Sequence, residues 1–303
     1  MRVAVVGAGA IGSFIASKLA ERGSDVVLFD KARDHKKVCS GLISARLWNF
    51  IPENKKIVEA SFDRIILHFP SKDVELILKQ KLLAIDREAL NKYIFDLAAR
   101  AGAEIRIKAI RGISDLKGFD RIIGCDGAFS VVRSALGLQS PHMKLGIIFY
   151  SREKSGKDIE AWSTEGGFFW KVPRKRVTEY GVLSEPRSAL KLLNEFAREQ
   201  GLSYEKLYAA HVPCGIVLPK SEKVTLCGDA AGLTKPWSGG GIIWGLTAAE
   251  ILIADFPDFN KYRIDVYRKF WTRQKLAEHL SWAVPRAAFL LPRRVEMDVD
   301  WLV

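Results

Sequence analysis

The chain has 303 residues, 48% of them hydrophobic, and a formal net charge of +12. That length and apolar share can bury a full core in one large or two interleaved domains. The basic residues are scattered, with no dedicated arm or nucleic-acid module. The charge therefore reads as a solvated Lys/Arg surface suited to an acidic protein or an anionic membrane face, and nucleic acid fits poorly as a partner.

Arg2–Val6 is a short β-branched run that reads as a buried parallel strand. Gly7, Gly9 and Gly12 follow at G-x-G-x-x-G spacing. The first allows a tight turn, the second lets a pyrophosphate approach the backbone around Ala10 and Ile11, and the third lets a helix pack on the strand. Ile11, Ile15 and Leu19, with Ala16 and Ala20, give that helix an apolar face, and Gly23 ends it. Val26–Phe29 reads as the second strand, with Asp30 and Lys31 at its tip. An acid there accepts hydrogen bonds from a ribose diol and would repel a 2′-phosphate, which argues for NAD or FAD over NADP. The strand and glycine turn also explain the apolar N-terminus better than a signal peptide does.

Residues 31–60 read as a charged loop containing CSGLIS (39–44). Residues 62–69 and 74–78 form a hairpin around Pro70–Asp73, and 86–101 a helix with Asp86 as N-cap. A strand at 104–107 follows, then a strand at 121–123, a turn at Gly124–Gly127 and a helix capped near Ser130. Strands are expected at 145–150, 158–163, 167–172, 176–183, 212–218 and 224–226, with a helix at 187–200 between them. A Gly-rich loop leads into the apolar window 239–256, which contains Glu250 and Asp255 and reads as a buried helix, not a membrane span. An amphipathic helix at 258–280 and a tail at 281–303 complete the chain. Cys39, Cys125, Cys214 and Cys227 have no C-x-x-C spacing, so no zinc site is expected, and nothing demands an oxidising compartment; the expectation is cytoplasmic.

Three separated segments thus share one pattern of strand, Gly/Asp turn and helix: 3–12, 121–133 and 224–245. The glycine motif, the Asp126–Gly127 pair in GCDGAFSVVR and the Gly228–Asp229 pair in CGDAAGLTKPWSGGGI match the three FAD fingerprints of para-hydroxybenzoate-hydroxylase-type flavoproteins. Asp229 can accept from ribityl hydroxyls, and the helix opened by Gly239, Gly240, Gly241 and Ile242, after Pro236, can point N–H groups at the flavin pyrimidine edge. Arg87 stands where this group often has an FAD-contacting arginine.

Within the group, the chain most resembles the geranylgeranyl reductase family. KKVCSGLIS (36–44) is similar to that family's Cys-x-Gly segment beside the isoalloxazine, here Cys39, Ser40 and Gly41. GGFFWKVPRKRVTEYGV (166–182) is similar to its aromatic-x-Trp-x-Phe-Pro-Lys strand, with Phe168, Trp170 and Pro173 in place, Val172 for Phe and Arg174 for Lys. The family usually runs longer at its C-terminal end, where a helical part closes a lipid tunnel.

The resemblance implies an α/β fold: a Rossmann-like three-layer FAD-binding domain with an inserted antiparallel, β-rich substrate domain and a short helical C-terminus. The expected FAD domain comprises 1–60, 82–140 and 212–256, the substrate domain 61–81 and 141–211, and the helical segment 257–303. The implied activity is reduction of C=C bonds of isoprenoid chains, with Cys39 and Gly41 at the reacting site and Phe168, Trp170, Pro173 and Trp237 walling a prenyl chain. With no second glycine motif in a βαβ setting, electrons would come from a docking donor, an acidic ferredoxin or NAD(P)H. The apolar, arginine-flanked stretch 283–294 allows a peripheral membrane contact. A flavin monooxygenase or halogenase of the same fold, and a flavin- or lipid-binding protein without catalysis, are the alternative readings.

Overall fold

The computed structural model describes residues 1–32, 38–152, 156–164 and 166–301, with backbone alone over 280–286. Lys36 and Lys37 of the expected 36–44 segment, and Leu302 and Val303 of the tail, lie outside them. Among the described residues, the chain forms β1 (Arg2–Val6), α1 (Ala10–Glu21), β2 (Asp25–Asp30), β3 (Leu42–Ser44), β4 (Val58–His68), β5 (Asp73–Ile85), α2 (Arg87–Arg100), β6 (Glu104–Ile107), β7 (Arg121–Gly124) and α3 (Val131–Ala135). The second half adds β8 (His142–Ser151), β9 (Ile159–Thr164), β10 (Gly167–Pro173), β11 (Thr178–Ser184), α4 (Ala189–Glu199), β12 (Tyr208–Cys214), β13 (Val224–Leu226), α5 (Ile242–Asp255), α6 (Phe259–Arg286) and β14 (Arg294–Met297).

The first sheet is parallel throughout, in the order β13-β7-β1-β2-β6. Four of its strands, β13, β7, β1 and β2, are almost wholly buried, and Val3, Ala4, Val5, Val27, Leu28, Ile122 and Ile123 expose nothing, while the edge strand β6 is partly exposed. Crossover helices cover a sheet of this kind, so its strands need no polar face. Helix α1 packs against α2 and α5, and α5 against α6. That encirclement buries α1 nearly all round, and it explains why the 239–256 window is so apolar: α5 is an interior helix with Trp244, Leu246, Ala248, Ala249 and Leu252 fully buried. No described helix is long and apolar enough to cross a membrane.

The second sheet runs β12-β8-β11-β10-β9-β4-β5-β14, with β3 pairing β5. Most pairs are antiparallel, but β4 with β9 and β5 with β14 are parallel, so the sheet is mixed and not purely antiparallel as expected. Helix α4 covers its middle, packing Leu193 and Phe196 against Phe149, Phe169 and Tyr180; Phe169 and Phe196 stack with centroids 4.3 Å apart.

Three local expectations shift. The strand expected at 212–218 is Tyr208–Cys214, because Pro213 and Gly215 close it and the chain turns at Gly215, whose φ is +126°. The 31–60 loop holds β3 and two short 3-10 turns. The tail is not simply trailing: β14 joins the sheet edge, and the residues after it run back into the interior. There Asp300, fully buried, accepts from the Lys235 ammonium at 3.1 Å and from the Ser44 hydroxyl, while its carbonyl accepts from the Trp244 indole at 2.9 Å. This segment ties β3, the loop before α5 and α5 itself to one carboxylate.

Removing that carboxylate strands the Lys235 ammonium in the interior. Asp300→Ala is expected to cost about 3–5 kcal/mol and to lower the thermal midpoint by about 5–10 °C. A scanning-calorimetry midpoint equal to that of the parent would contradict the strap.

Candidate active site

The three Gly/Asp corners leave three adjacent parallel strands at one level, since Val6 pairs Gly124 and Gly124 pairs Leu226. They therefore meet at the carboxyl end of the sheet, where open α/β folds bind ligands. At the first corner Gly7 takes φ +102°, and a Cβ there would lie 2.4 Å from the Cys125 carbonyl oxygen. A Cβ on Gly12 would lie 1.9 Å from the Gly7 carbonyl oxygen. At Gly9 the situation reverses: a Cβ would meet no heavy atom within 4 Å. Gly7 and Gly12 serve the protein's own packing, and Gly9 leaves space on the cleft side.

At the second corner Asp126 turns inward. Its carboxylate accepts from Ser130 Oγ (2.6 Å) and from the backbone N–H groups of Val131 (2.7 Å) and Val132 (3.2 Å), which makes it a cap for α3. Arg133, 1% exposed, donates to the carbonyls of Ala128 (2.6 Å) and Ala230 (2.9 Å) and so ties the second corner to the third. At the third corner Gly228 and Gly245 pack over Ile11, which a Cβ on either would meet at 3.1 Å and 2.8 Å. The Asp30 carboxylate, at the tip of β2, accepts from the Ala8 and Ala32 N–H groups.

Between the corners and the second sheet runs a cleft with a cavity of about 180 Å³. Gly9, Ala10, Ile11, Gly127, Asp229, Gly239, Gly241 and Ile242 line it from the corners, Cys39, Ser40 and Arg87 from the side, and Trp170 from the sheet. Gly7, Gly12, Gly228, Gly240, Asp126, Asp30, exposed Lys31, Gly41, Pro236, Phe168, Pro173 and Trp237 stand outside the lining. Of these, Gly41 lies behind the cysteine loop, where a Cβ would fall 2.2 Å from the Ile85 carbonyl oxygen. Phe168 packs 5.5 Å from the Trp170 ring, and Trp237 packs edge-on against Trp244 and Trp301. The Pro236 carbonyl accepts from Lys144 Nζ.

The sequence reading missed the rest of the sheet's wall: Gly146 and Ile148 on β8, Leu183 on β11, and Ala210, His211 and Val212 on β12. Their strand periodicity was available, but the register of β12 was placed four residues late. It also missed Asn91, one turn beyond Arg87 on α2, whose amide oxygen accepts from the guanidinium at 3.2 Å; the i, i+4 spacing was the signal. Burial pushes the Cys125 thiol well up and the Cys227 thiol up to about 12, so both line the cleft as neutral S–H groups.

Three features fit a long anionic ligand. Arg87 is buried, and its Nε and Nη1 have no hydrogen-bond partner among the described residues, which is costly unless a ligand accepts from them. Helices α1 and α5 both begin at the cleft without a side-chain cap, leaving N–H groups for phosphate or carbonyl oxygens. Space is left at Gly9 where a backbone must be approached closely.

The two glycine roles separate by experiment. Gly9→Val should fold with a thermal midpoint near the parent's and lose FAD uptake by about tenfold or more, a helix N-terminal phosphate contact being displaced. Gly12→Val should fail to fold. Calorimetry and a flavin titration check both; normal FAD uptake by Gly9→Val would remove that residue from the site.

Comparison with known proteins agrees with this geometry. The family model for FAD dependent oxidoreductases matches residues 2–301. A digeranylgeranylglycerophospholipid reductase of Methanothrix thermoacetophila is 26% identical over 335 residues, covering 92% of this chain and 85% of its own. In fold, a geranylgeranyl bacteriochlorophyll reductase-like protein from Thermoplasma acidophilum superposes with a TM-score of 0.79 at 19% identity, over 96% of this chain and 88% of that one. A flavin-dependent brominase superposes with a TM-score of 0.76 at 13% identity, over 96% and 91%. The cofactor is FAD. The chain belongs to the FAD dependent oxidoreductase family, and among its relatives are geranylgeranyl reductases.

Proposed function

We propose that the chain reduces carbon–carbon double bonds of isoprenoid chains of the geranylgeranyl type. One observation carries the reading: the cleft has the three Gly/Asp corners on one side and, on the other, a wall of Trp170, Ile148, Leu183 and Val212 with Cys39 at the seam. A largely apolar wall facing a cofactor suits a long hydrocarbon better than a polar substrate. The name of the Methanothrix relative, a digeranylgeranylglycerophospholipid reductase, supports the same substrate class.

Bound and reduced, FAD supplies hydride from its N5 position, and the redox chemistry is the cofactor's own. The residues proposed to hold it are Gly9, Ala10, Ile11, Arg87, Asp229 and Gly239–Ile242. An isolated alkene is unactivated, so the chain's part is to hold the bond still, exclude water and set a proton-bearing group at the far carbon. Trp170, extended by Phe168 and the strand end at Pro173, is assigned the wall; Cys39 Sγ, at which the Gly41 N–H donates at 3.4 Å, is assigned the proton-bearing edge. The surface charge of +12 suits an acidic ferredoxin-type donor, with NAD(P)H as the other source of electrons. Exposed Phe289 and Leu290, followed by Arg293 and Arg294, would meet an anionic membrane face that presents the lipid.

The test is anaerobic: reduce the bound flavin, add a geranylgeranyl lipid, and follow flavin reoxidation and product mass. Stoichiometric reoxidation with a product heavier by two hydrogens per bond supports the reading. A flavin that stays reduced overturns it; in a separate aerobic assay, NADPH- and O₂-dependent halogenation or hydroxylation of a substrate would overturn it in favour of the monooxygenase or halogenase chemistry found on the same fold. Cys39→Ala should lower turnover about 10²-fold or more while FAD content stays at the parent's level, and Trp170→Ala should raise KM for long prenyl substrates more than for short ones.

A further inference from the structure

The loop that carries Cys39 is pinned from three directions. At Gly41, φ +61°, the carbonyl accepts from Ile85 N–H at 2.9 Å. At Ser44 the hydroxyl donates to buried Asp300. Just before Gly41, the Ser40 carbonyl accepts from Arg174, which stands just past the end of β10. Arg174 is only 7% exposed in its side chain, and the same guanidinium meets two carboxylates: Glu59 at 2.6 Å and Glu179, wholly buried, at 2.8 and 3.1 Å. The other oxygen of Glu179 accepts from the Trp170 indole N–H at 2.9 Å. A continuous polar chain therefore runs from the Cys39 loop through Arg174 and Glu179 to the Trp170 ring.

We propose that Arg174 is a positioning residue: through Ser40 on one side and Glu179 on the other, it holds the Cys39 thiol and the Trp170 wall in a fixed relation across the cleft. Each pair of atoms on this path has a reason to stay. Burial alone would lower the pKa of the guanidinium, but Glu179 and Glu59 more than offset that and carry it above its ordinary value, so Arg174 is charged at all working pH. Glu179 has no solvent to turn to, and its two oxygens are divided between Arg174 and Trp170. A planar fork of five donors serves three acceptors at once; a lysine ammonium on a flexible stem holds fewer and fixes none of them in a plane. Arg174 lies outside the cleft lining, and its guanidinium is engaged by Ser40, Glu59 and Glu179, so its part is played through those residues. It matters to turnover only if Cys39 and Trp170 flank the reacting bond as proposed above, so the decisive readout is the loop itself.

The experiment compares the parent with Arg174→Lys in the flavin-loaded protein, which keeps a positive charge beside Glu179. Peptide mass spectrometry follows alkylation of Cys39 by iodoacetamide, with buried Cys227 as the internal reference. FAD content and the thermal midpoint should stay near the parent's. Cys39 alkylation should change by about tenfold, and kcat should fall about 10- to 100-fold with KM within about threefold, the signature of a small misplacement. Alkylation and kcat both within about twofold of the parent would overturn the proposal. Should Arg174→Lys fail to fold, Glu59→Gln carries the same test, because Glu59 is one-third exposed and its loss buries no charge; the shifts expected there are about threefold in the same quantities, and no shift overturns it. A parent that reduces no prenyl substrate, together with a Cys39 alkylation rate that still moves on substitution, would retire the proposed reaction and leave the clamp standing.

Discussion

Close approach of three backbone corners is the constraint on which the rest of the molecule depends. Three neighbouring parallel strands end in register at Val6, Gly124 and Leu226, so their following turns must share one small volume. Side chains there would collide: a Cβ on Gly7 meets the second corner, and Cβ atoms on Gly228 or Gly245 meet Ile11 of the first. Glycine at these places lets the corners pack, and buried Arg133 fastens the second to the third through two carbonyls. With a single guanidinium spanning both, neither corner can drift without stranding a buried cation.

What the convergence builds is half a site. The other half is the sheet wall, and segments far apart in the chain join the two. The Cys39–Ser44 segment crosses between them, paired through β3 to β5, fastened by Arg174 near its start and by Asp300 at its end. The Lys235–Asp300 pair does the same for the loop that leads into α5. Two buried charges, Arg174 and Asp300, therefore sit at seams between segments far apart in the chain. Buried ion pairs add little net stability over apolar packing, but they define one arrangement among several of similar packing energy, which is what a site with two independent walls requires.

The corners were legible in the sequence because backbone geometry leaves them no choice of residue. A turn at positive φ, a helix packed on a strand and an approach to phosphate each ask for glycine at a fixed offset, and Gly7, Gly9 and Gly12 stand at those offsets. The capping of α2 by Asp86 and of α3 by Ser130 was legible for the same local reason. Asp126, expected as a cofactor contact, bonds to the start of α3, a role that its place four residues before Ser130 does not mark in the sequence. The β12 wall was placed late because the apolar run through Val212–Leu218 hides the Pro213 and Gly215 that end the strand. The pinning of the Cys39 loop was illegible: Arg174 and Ser40 are 134 residues apart, Ser44 and Asp300 are 256 apart, and no local pattern marks either pair.

The claim at the centre is that one FAD lies along all three corners at once. Its most direct measurement is a titration of the flavin-free protein with FAD, read by calorimetry and by the flavin absorption spectrum. One saturable site per chain, with a resolved and red-shifted flavin band, is the result this account predicts. Heat that never saturates, with a spectrum identical to that of FAD free in buffer, would contradict it.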